Sequence, residues 1–295
     1  IYKVSSDGGV AVPLTLSESY EYGAVWSHDG AKIAFSSDRY GNMDVFVMAS
    51  DGGEAERLTY HSYGERASDF TVDNQQVIFA GLRQDRHTNA QFPTGAMAEL
   101  YSVSVDGGRV DQILTSPAHS ARFSSTGEQI IFHDRKGYEN NWRKHHTSSV
   151  TRDIWLYDVN AQTYTQLSSF EGEDRNPVFG KNDNTFYYLT EENGAYNVHQ
   201  SSVSNPTQSI PLTNYKDHPV RFLTNSDDDL LCFSYHGEIY TMVPGGAPEK
   251  VAISIPYDGR QNLEKIVKVN DHFTEATLSP NGKEVAYIFR GEVFV

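Results

Sequence analysis

The sequence predicts an all-β protein, a six-bladed β-propeller built from four-stranded antiparallel blades. Three observations predict this fold. Short runs of β-branched and aromatic residues alternate with tight turns, the runs recur as a four-strand unit about every 40 to 55 residues, and no stretch has helical periodicity. Because a single four-stranded sheet leaves two apolar faces open, such units must cover one another around an axis.

The stretch from Ala24 to Thr59 shows the unit most completely. Asp-Gly and Gly-Gly pairs, which accept the positive φ of tight hairpin turns, close its strands at Asp29-Gly30 and Gly52-Gly53. Its first three strands are predicted at 24–26, 32–35 and 44–48, and the fourth strand is predicted to end at Thr59.

Matching residues mark the other copies. Third strands open with an acid, an aliphatic and an aromatic residue, as in Asp153-Ile154-Trp155, and fourth strands end in Leu-Thr or Leu-Ser, as at Leu167. The proposed anchors of the first strands are Trp26, Phe70, Phe123, Phe179, Phe222 and Leu278. Second strands are predicted to end at Phe35, Phe79, Phe132, Tyr188, Phe233 and Tyr287.

The domain prediction places the propeller at 1–271. Its five complete blades are expected at 20–60, 64–116, 118–170, 172–215 and 217–254. Residues 1–15 match only the outer two strands of a blade, and 272–295 match only the first three. The two ends are therefore expected to share a sixth blade, or 272–295 begins a following propeller. The surplus third strand indicates a fragment of a longer protein.

Composition narrows the function. The chain has 295 residues and a net charge of −15, from 24 basic and 39 acidic residues, which argues against nucleic acid and anionic membranes as partners. No apolar run approaches the ~18 residues of a spanning helix, so membrane insertion is not expected. The single cysteine, Cys232, has no partner for an internal disulfide. Catalytic and cofactor motifs are absent from the sequence, so no catalytic residue and no cofactor are predicted.

Two of the loops between second and third strands are enlarged, at 83–98 and 135–152, on the face that also carries the connections between blades. The second is the one basic cluster of an acidic protein. One interpretation is a solvated loop that offsets its acidic neighbours. The other is a loop that binds a peptide carboxylate or a partner domain, formed by Tyr138, Trp142, Arg143, Lys144, His145 and His146. The adjacent histidines lack a further ligand at metal-site spacing, so no metal site is predicted.

The connections that enter the blades carry a second set of charged residues. Because first strands are innermost, these residues should surround the mouth of the central channel. Either they are rim charges that pair with neighbours, or they form a mouth that selects small ligands or peptides by charge. The candidate residues are Glu65, Arg66, His119, Asp174, Arg175, Asp217, His218, Asp271 and His272.

The repeats resemble those shared by TolB and the tricorn-type proteases. The resemblance is carried by SHDGAKIAFSSDR, by the insertion GYENNWRKHHTSSVTRDIWLYDV ahead of a D-I-W strand, and by FTEATLSPNGKEVAYIFRGEVFV. It points to the N-terminal six-bladed propeller of tricorn protease, followed by the start of the next propeller.

This resemblance implies a non-catalytic module of a much longer serine peptidase. In that family the propellers guide peptides to, and products from, a buried active site, so the implied partners are peptides and a second propeller, a PDZ domain and a peptidase region of the same polypeptide. Homo-oligomerisation stays open. A TolB-like interaction propeller of the cell envelope and the filter of a prolyl-oligopeptidase-type hydrolase are the alternatives. Family members occur in the cytosol and in the periplasm or envelope, and we favour the envelope.

Overall fold

The computed structural model describes residues 1–83, 97–138, 145–256, 273–289 and 292–294. All regular structure within these ranges is β-strand, which confirms the all-β prediction. Accordingly, no helix in the described ranges is long and apolar enough to cross a membrane. The chain divides into two compact units, Ile1–Ile255 and Pro256–Val295.

The first unit contains five four-stranded antiparallel blades, preceded by the short strands β1 (Tyr2–Lys3), β2 (Gly9–Val10) and β3 (Val12–Pro13). Within each blade the strands lie in chain order, with the first strand at one edge and the fourth at the other. The blade strands, four to a blade, are β4 (Glu21–Trp26), β5 (Lys32–Ser37), β6 (Asp44–Ala49), β7 (Glu56–Arg57); β8 (Arg66–Phe70), β9 (Gln76–Gly81), β10 (Glu99–Ser104), β11 (Asp111–Leu114); β12 (Ala118–Phe123), β13 (Gln129–Asp134), β14 (Ile154–Asp158), β15 (Thr163–Gln166); β16 (Asp174–Phe179), β17 (Thr185–Thr190), β18 (Asn197–Ser202), β19 (Asn205–Pro211); and β20 (Arg221–Asn225), β21 (Leu231–Tyr235), β22 (Glu238–Met242), β23 (Glu249–Lys250).

The hydrophobic cores lie between the blades. Ala34 and Val45 of the first blade pack in one buried cluster with Phe79 and Tyr101 of the second. Similar clusters join the second blade to the third, the third to the fourth and the fourth to the fifth. Each second strand therefore needs apolar residues on both of its faces, which explains runs such as Ile33-Ala34-Phe35.

The Leu-Thr and Leu-Ser endings hold the outer strand of a blade to the third strand. Thr59 Oγ1 accepts a hydrogen bond of 2.9 Å from the Val45 amide, and Ser168 Oγ accepts one of 2.9 Å from the Ile154 amide. Thr213 does the same for Val198. The leucine of each ending fills the core, and its hydroxyl neighbour satisfies a buried backbone donor.

The hairpin turns between first and second strands bind the preceding blade. Asn74, Asp183 and Asp229 have φ of 60°, 55° and 62°. The side chain of each accepts a backbone hydrogen bond from the preceding blade, from His28 to Asn74 at 2.7 Å, from Ser125 to Asp183 at 3.0 Å and from Lys181 to Asp229 at 2.9 Å. Asn and Asp tolerate the left-handed conformation, so one residue forms both the turn and the contact.

The prediction of six blades is wrong, since the described residues form five four-stranded blades. The expected sixth blade needed β26 of the second unit to pair with an N-terminal strand. Instead β25 (Phe273–Leu278), β26 (Val285–Phe289) and β27 (Glu292–Phe294) form their own three-stranded sheet, with Ile288 opposite Val293. A hairpin between neighbouring segments costs far less loop-closure entropy than a pairing across the whole chain, so β27 occupies the free edge of β26.

The N-terminal strands pair elsewhere. β1 pairs with β3 in an antiparallel ladder, and β2 pairs in parallel with β24 (Ile253–Ser254), just after the fifth blade. The prediction of Phe222 as the first-strand anchor of the fifth blade is also wrong. Asn225 lies opposite Leu231 where the other anchors pair, and Phe222 lies three residues earlier in an irregularity of the ladder.

We expect the Asp183→Ala substitution to lower the free energy of unfolding by about 1–3 kcal/mol, because it removes the acceptor for Ser125 and leaves a β-carbon at positive φ without compensation. Urea denaturation measures the change. Asp183→Asn keeps an acceptor and tolerates the conformation, so it should retain most of the stability. Equal stability of the two variants would contradict this role.

Candidate functional site

One layer of the innermost strands brings together residues from all five blades. Each second strand contains the aromatic residue at which the sequence analysis ended it, such as Phe35. The residue that follows it, Ser36 in this strand, pairs with one residue of the first strand. The five partners define the register ring, which consists of Tyr22, Arg66, His119, Arg175 and Arg221. First strands of neighbouring blades contact one another in order, so these residues lie at one level around the axis.

Members of the register ring interact across the blade boundaries. The guanidinium carbon of Arg66 lies 5.4 Å from the centre of the Tyr22 ring in the neighbouring blade. Burial lowers the pKa of Arg221, and the positive charge of Arg175 lowers it further. Three arginines and a histidine thus share one layer of the innermost strands.

Two acidic residues next to the ring, Glu65 and Glu173, are paired with arginines. Glu65 is fully buried and accepts two contacts from Arg83, at 2.5 Å from Nη2 and 2.7 Å from Nε. Glu173 accepts a hydrogen bond of 2.7 Å from Arg152 and one of 3.3 Å from Arg175. These carboxylates are therefore not available to attract a cation.

His119 of the ring and its cross-strand partner His133 stack with ring centres 5.9 Å apart and planes 13° apart. Burial, together with the smaller effects of the charges of Arg135, Arg66 and Arg152, lowers the pKa of His119 to about 3. Burial also lowers the pKa of His133 well below its usual value, and Arg152 adds to the effect. Both imidazoles are neutral near pH 7, so the positive charge of this region belongs to its arginines.

Two buried nitrogens of the ring have no hydrogen-bond partner among the described residues. They are Nε2 of His119 and Nε of Arg175, which lie on neighbouring blades. Nearby, Arg66 and Arg135 have no carboxylate within ion-pair distance in the part of the chain that the structure describes. Carboxylate oxygens of Glu65, Glu173 and Asp174 beside them also lack a partner among the described residues, and all of these atoms are closed off from solvent. The groups that suit an anionic ligand such as a carboxylate are therefore the exposed guanidinium of Arg66 and the half-buried one of Arg135.

Asp174 is a ring neighbour that the structure buries. It directly precedes Arg175 in the chain and is 1% exposed. Burial raises its pKa to about 7, against the opposing effect of hydroxyl groups from Thr190 and Ser168, and the charges of Asp153 and Glu192 raise it further. Asp174 therefore carries only part of a negative charge near neutral pH.

The other predicted mouth residues lie apart from the ring or outside the described residues. His218 is exposed and stacks on His236 with ring centres 4.3 Å apart, and Asp217 beside it is exposed. Asp271 and His272 lie outside the described residues. Tyr22 and Arg221 were not predicted from the sequence, because their membership depends on strand register.

The predicted peptide or partner loop is described only in part. Trp142, Arg143 and Lys144 lie outside the described residues, Tyr138 is 81% exposed, His145 is exposed and His146 is half-buried. The role of this loop stays a prediction. An open cleft of about 480 Å³ lies beside it, lined by Lys136, Thr147, Ser148, Ser149, Thr151, Asp153, Gln166, Ser169, Phe170 and Glu171.

Lys136 adds no free positive charge to this cleft. Its ammonium group pairs with Asp153, lies 3.6 Å from Asp134 and donates a hydrogen bond of 2.8 Å to the Thr151 carbonyl. Burial lowers the pKa of Lys136, but the bond to Asp153 and the charge of Asp134 outweigh that effect and raise it. The register ring therefore remains the better anion site.

A serine and a histidine also meet on the fourth blade. Ser209 Oγ lies 2.7 Å from Nδ1 of His199, and Glu192 approaches the same nitrogen at 3.9 Å. In a catalytic triad, the serine hydroxyl and the carboxylate contact opposite nitrogens of the histidine ring. Tyr188 also donates a hydrogen bond to the same hydroxyl, so this contact is structural. Across the ranges described, no group of three or more His, Cys, Asp or Glu residues is placed to hold a metal ion.

Known proteins with similar sequences and structures also contain a β-propeller. The family model for the tricorn protease N-terminal beta propeller domain matches residues 1–247. The crystal structure of the tricorn protease superposes with a TM-score of 0.68 and 18% identity, over 96% of this chain and 27% of that one.

Two curated relatives match parts of the chain. The Tol-Pal system protein TolB of Wolinella succinogenes is 24% identical over 46% of this chain and 31% of its own length. The uncharacterized peptidase YuxL of Bacillus subtilis is 26% identical over 45% of this chain and 24% of its own length. The chain covers less than a third of each of these proteins and of the tricorn protease chain.

The raised pKa of Asp174 predicts pH-dependent stability. Because the folded-state pKa is about 7 against an ordinary 3.8, the neutral carboxyl stabilises the fold fully below pH 3.8, and this contribution is lost as pH rises through 7. We expect Asp174→Asn to raise the free energy of unfolding at pH 8 by roughly 2–4 kcal/mol and to change it little near pH 4.

Urea denaturation at several pH values measures this effect. The exposed turn residue Asp51 provides the control, and Asp51→Asn should leave the stability within about 0.5 kcal/mol at every pH. A stability difference between Asp174→Asn and the unsubstituted chain that does not vary with pH would refute the assignment.

Proposed function

Because the chain belongs to the family of tricorn protease N-terminal β-propellers, we propose that it is a non-catalytic module of a tricorn-like serine peptidase. In this proposal the module guides peptides to or from an active site elsewhere in the polypeptide, and it docks the other domains. The family match supports the peptidase context, and the likeness to Tol-Pal system proteins supports the cell envelope as its location.

The observation that carries the guiding role is the positive charge of the register ring. Arg66, Arg175 and Arg221 belong to it, Arg135 adds a charge from the adjoining loop, and Arg152 offsets the buried Glu173. The protein as a whole has a net charge of −15, so the positive charge of this layer is opposite in sign to that of the whole protein. An anionic group entering the channel is repelled by the outer surface and attracted at the ring.

The ring suits the carboxylate of a peptide better than other parts of it. Arginine binds a carboxylate through two parallel hydrogen bonds, and Arg66 is exposed and has no carboxylate within ion-pair distance among the described residues. A free peptide differs from an internal segment of a folded protein by its terminal carboxylate. The ring therefore selects peptide ends, which is the task of a filter in front of a peptidase.

One surface feature favours a second function, a TolB-like role in binding other proteins. Arg57 lies between two tyrosine rings, 4.7 Å from that of Tyr40 and 4.4 Å from that of Tyr60, and its guanidinium is held by Asp44 at 2.7 Å. Tyr40 and Tyr60 are 63% and 71% exposed. Rigid, exposed tyrosines are typical of protein interfaces. Loss of partner binding on Tyr40→Ala, with peptide binding intact, would favour this role.

Calorimetric titration of the chain with Ala-Ala-Ala-Ser as free acid and as C-terminal amide tests the filter. We expect the free acid to bind about tenfold more tightly, because one charge-assisted, bidentate contact is lost in the amide. Arg66→Gln and Arg175→Gln should each reduce the difference, and the pair together should abolish it.

Arg109→Gln is the matched control, since it removes the same charge from an exposed residue near the turn between β10 and β11. It should leave the preference for the acid unchanged. Equal affinities of the unsubstituted chain for acid and amide would reject the filter, and equal effects of Arg109→Gln and Arg66→Gln would show that only net charge matters.

A further inference from the structure

Phe222 has a strained backbone and an exposed side chain. Its φ is 56°, in the left-handed region that bulky residues rarely adopt, and it is 63% exposed. The ladder between β20 and β21 is irregular between Arg221 and Thr224, so Phe222 and Leu223 lie in a bulge of the innermost strand. Leu223 is 2% exposed and packs in the hydrophobic cluster between the fourth and fifth blades. Phe222 is the exposed residue of the pair.

The equivalent position in other blades holds small or polar residues. Gly23, Ser120 and Asn176 each follow a member of the register ring, and their φ values are 66°, 50° and 51°. Asn176 Nδ2 donates a hydrogen bond of 3.2 Å to Ser120 Oγ of the neighbouring blade. In the third and fourth blades, side chains at this position therefore meet between the innermost strands, in the layer next to the ring.

A phenylalanine is the least suitable of these four residues for the conformation. Glycine has no β-carbon, and Ser and Asn have short polar groups that form hydrogen bonds, whereas Phe has neither property. Its ring also gains no burial to offset the strain, since most of it is exposed. A strained residue that does not serve the core is the kind of outlier that points to a binding role.

We propose that Phe222 makes the channel specific for peptides that end in an apolar residue. The proposal rests on the proposed function, in which the register ring holds the terminal carboxylate. Arg221 of the ring directly precedes Phe222, so a carboxylate at the ring places the last side chain of the peptide close to the phenylalanine. An apolar side chain buries surface against the aromatic ring, and a polar one loses hydration without a hydrogen-bond partner.

The test compares Ala-Ala-Ala-Leu with Ala-Ala-Ala-Ser, each as free acid and as amide, in calorimetric titrations of the whole chain. We expect the leucine acid to bind about 5- to 20-fold more tightly than the serine acid. In Phe222→Gly this ratio should fall below about twofold, with the serine acid unaffected.

The same substitution separates binding from a structural role. Glycine adopts positive φ freely, so Phe222→Gly should raise the midpoint of thermal unfolding. Gln162→Gly is the matched control, because Gln162 has a φ of 55° in an exposed turn of the third blade. It should raise the midpoint similarly and leave the leucine preference intact. Phe222→Asn, which also tolerates this conformation, provides a second variant that should lose the preference.

Each outcome bears on one claim. An unchanged leucine-to-serine ratio in Phe222→Gly, or a lowered unfolding midpoint with the ratio retained, overturns the inference and makes Phe222 structural. If the unsubstituted chain prefers acids over amides but does not distinguish leucine from serine, the filter stands and this inference alone fails. If acids and amides bind equally, the proposed function itself has failed.

Discussion

The structure depends on one constraint, that each four-stranded sheet has two apolar faces and can cover neither by itself. Neighbouring blades therefore share their cores, as Phe79 and Tyr101 do with Val45 of the preceding blade. This packing brings the first strands side by side at the axis. Side chains at one register position of different blades then become neighbours, although they lie more than 40 residues apart in the sequence.

The same packing explains how an acidic protein contains a positive channel layer. Connections between blades bring acids such as Glu65 and Glu173 under the adjoining loops, where burial requires a partner for each charge. Arg83 and Arg152 supply those partners from neighbouring segments. These two acids are held in internal ion pairs, while Arg66 of a first strand has no carboxylate within ion-pair distance among the described residues. The overall charge of −15 is therefore a poor guide to the sign at this layer.

The sequence was informative about strands and turns and less so about register. Asp-Gly and Thr-Val-Asp-Asn turns mark hairpins through local chemistry, so the strands that end at Trp26 and Phe70 are predictable from short segments. A bulge leaves no local mark. The misplacement of Phe222 and the omission of Arg221 from the mouth both follow from the irregularity between Arg221 and Thr224. The predicted number of blades depended on the strand that pairs with β26, which in the structure is β27. Residue patterns predict where strands lie, but they do not predict which of two possible strand pairings forms.

The positive-φ residues show how one backbone conformation serves two purposes. In the turns, Asn74 and Asp183 offset the cost of the conformation, because their side chains accept hydrogen bonds from the preceding blade. In the bulges, Asn176 and Ser120 offset it by bonding to each other. Phe222 has no such compensation. Stability alone favours glycine or asparagine there, and our proposal assigns the aromatic ring a role in binding an apolar peptide end.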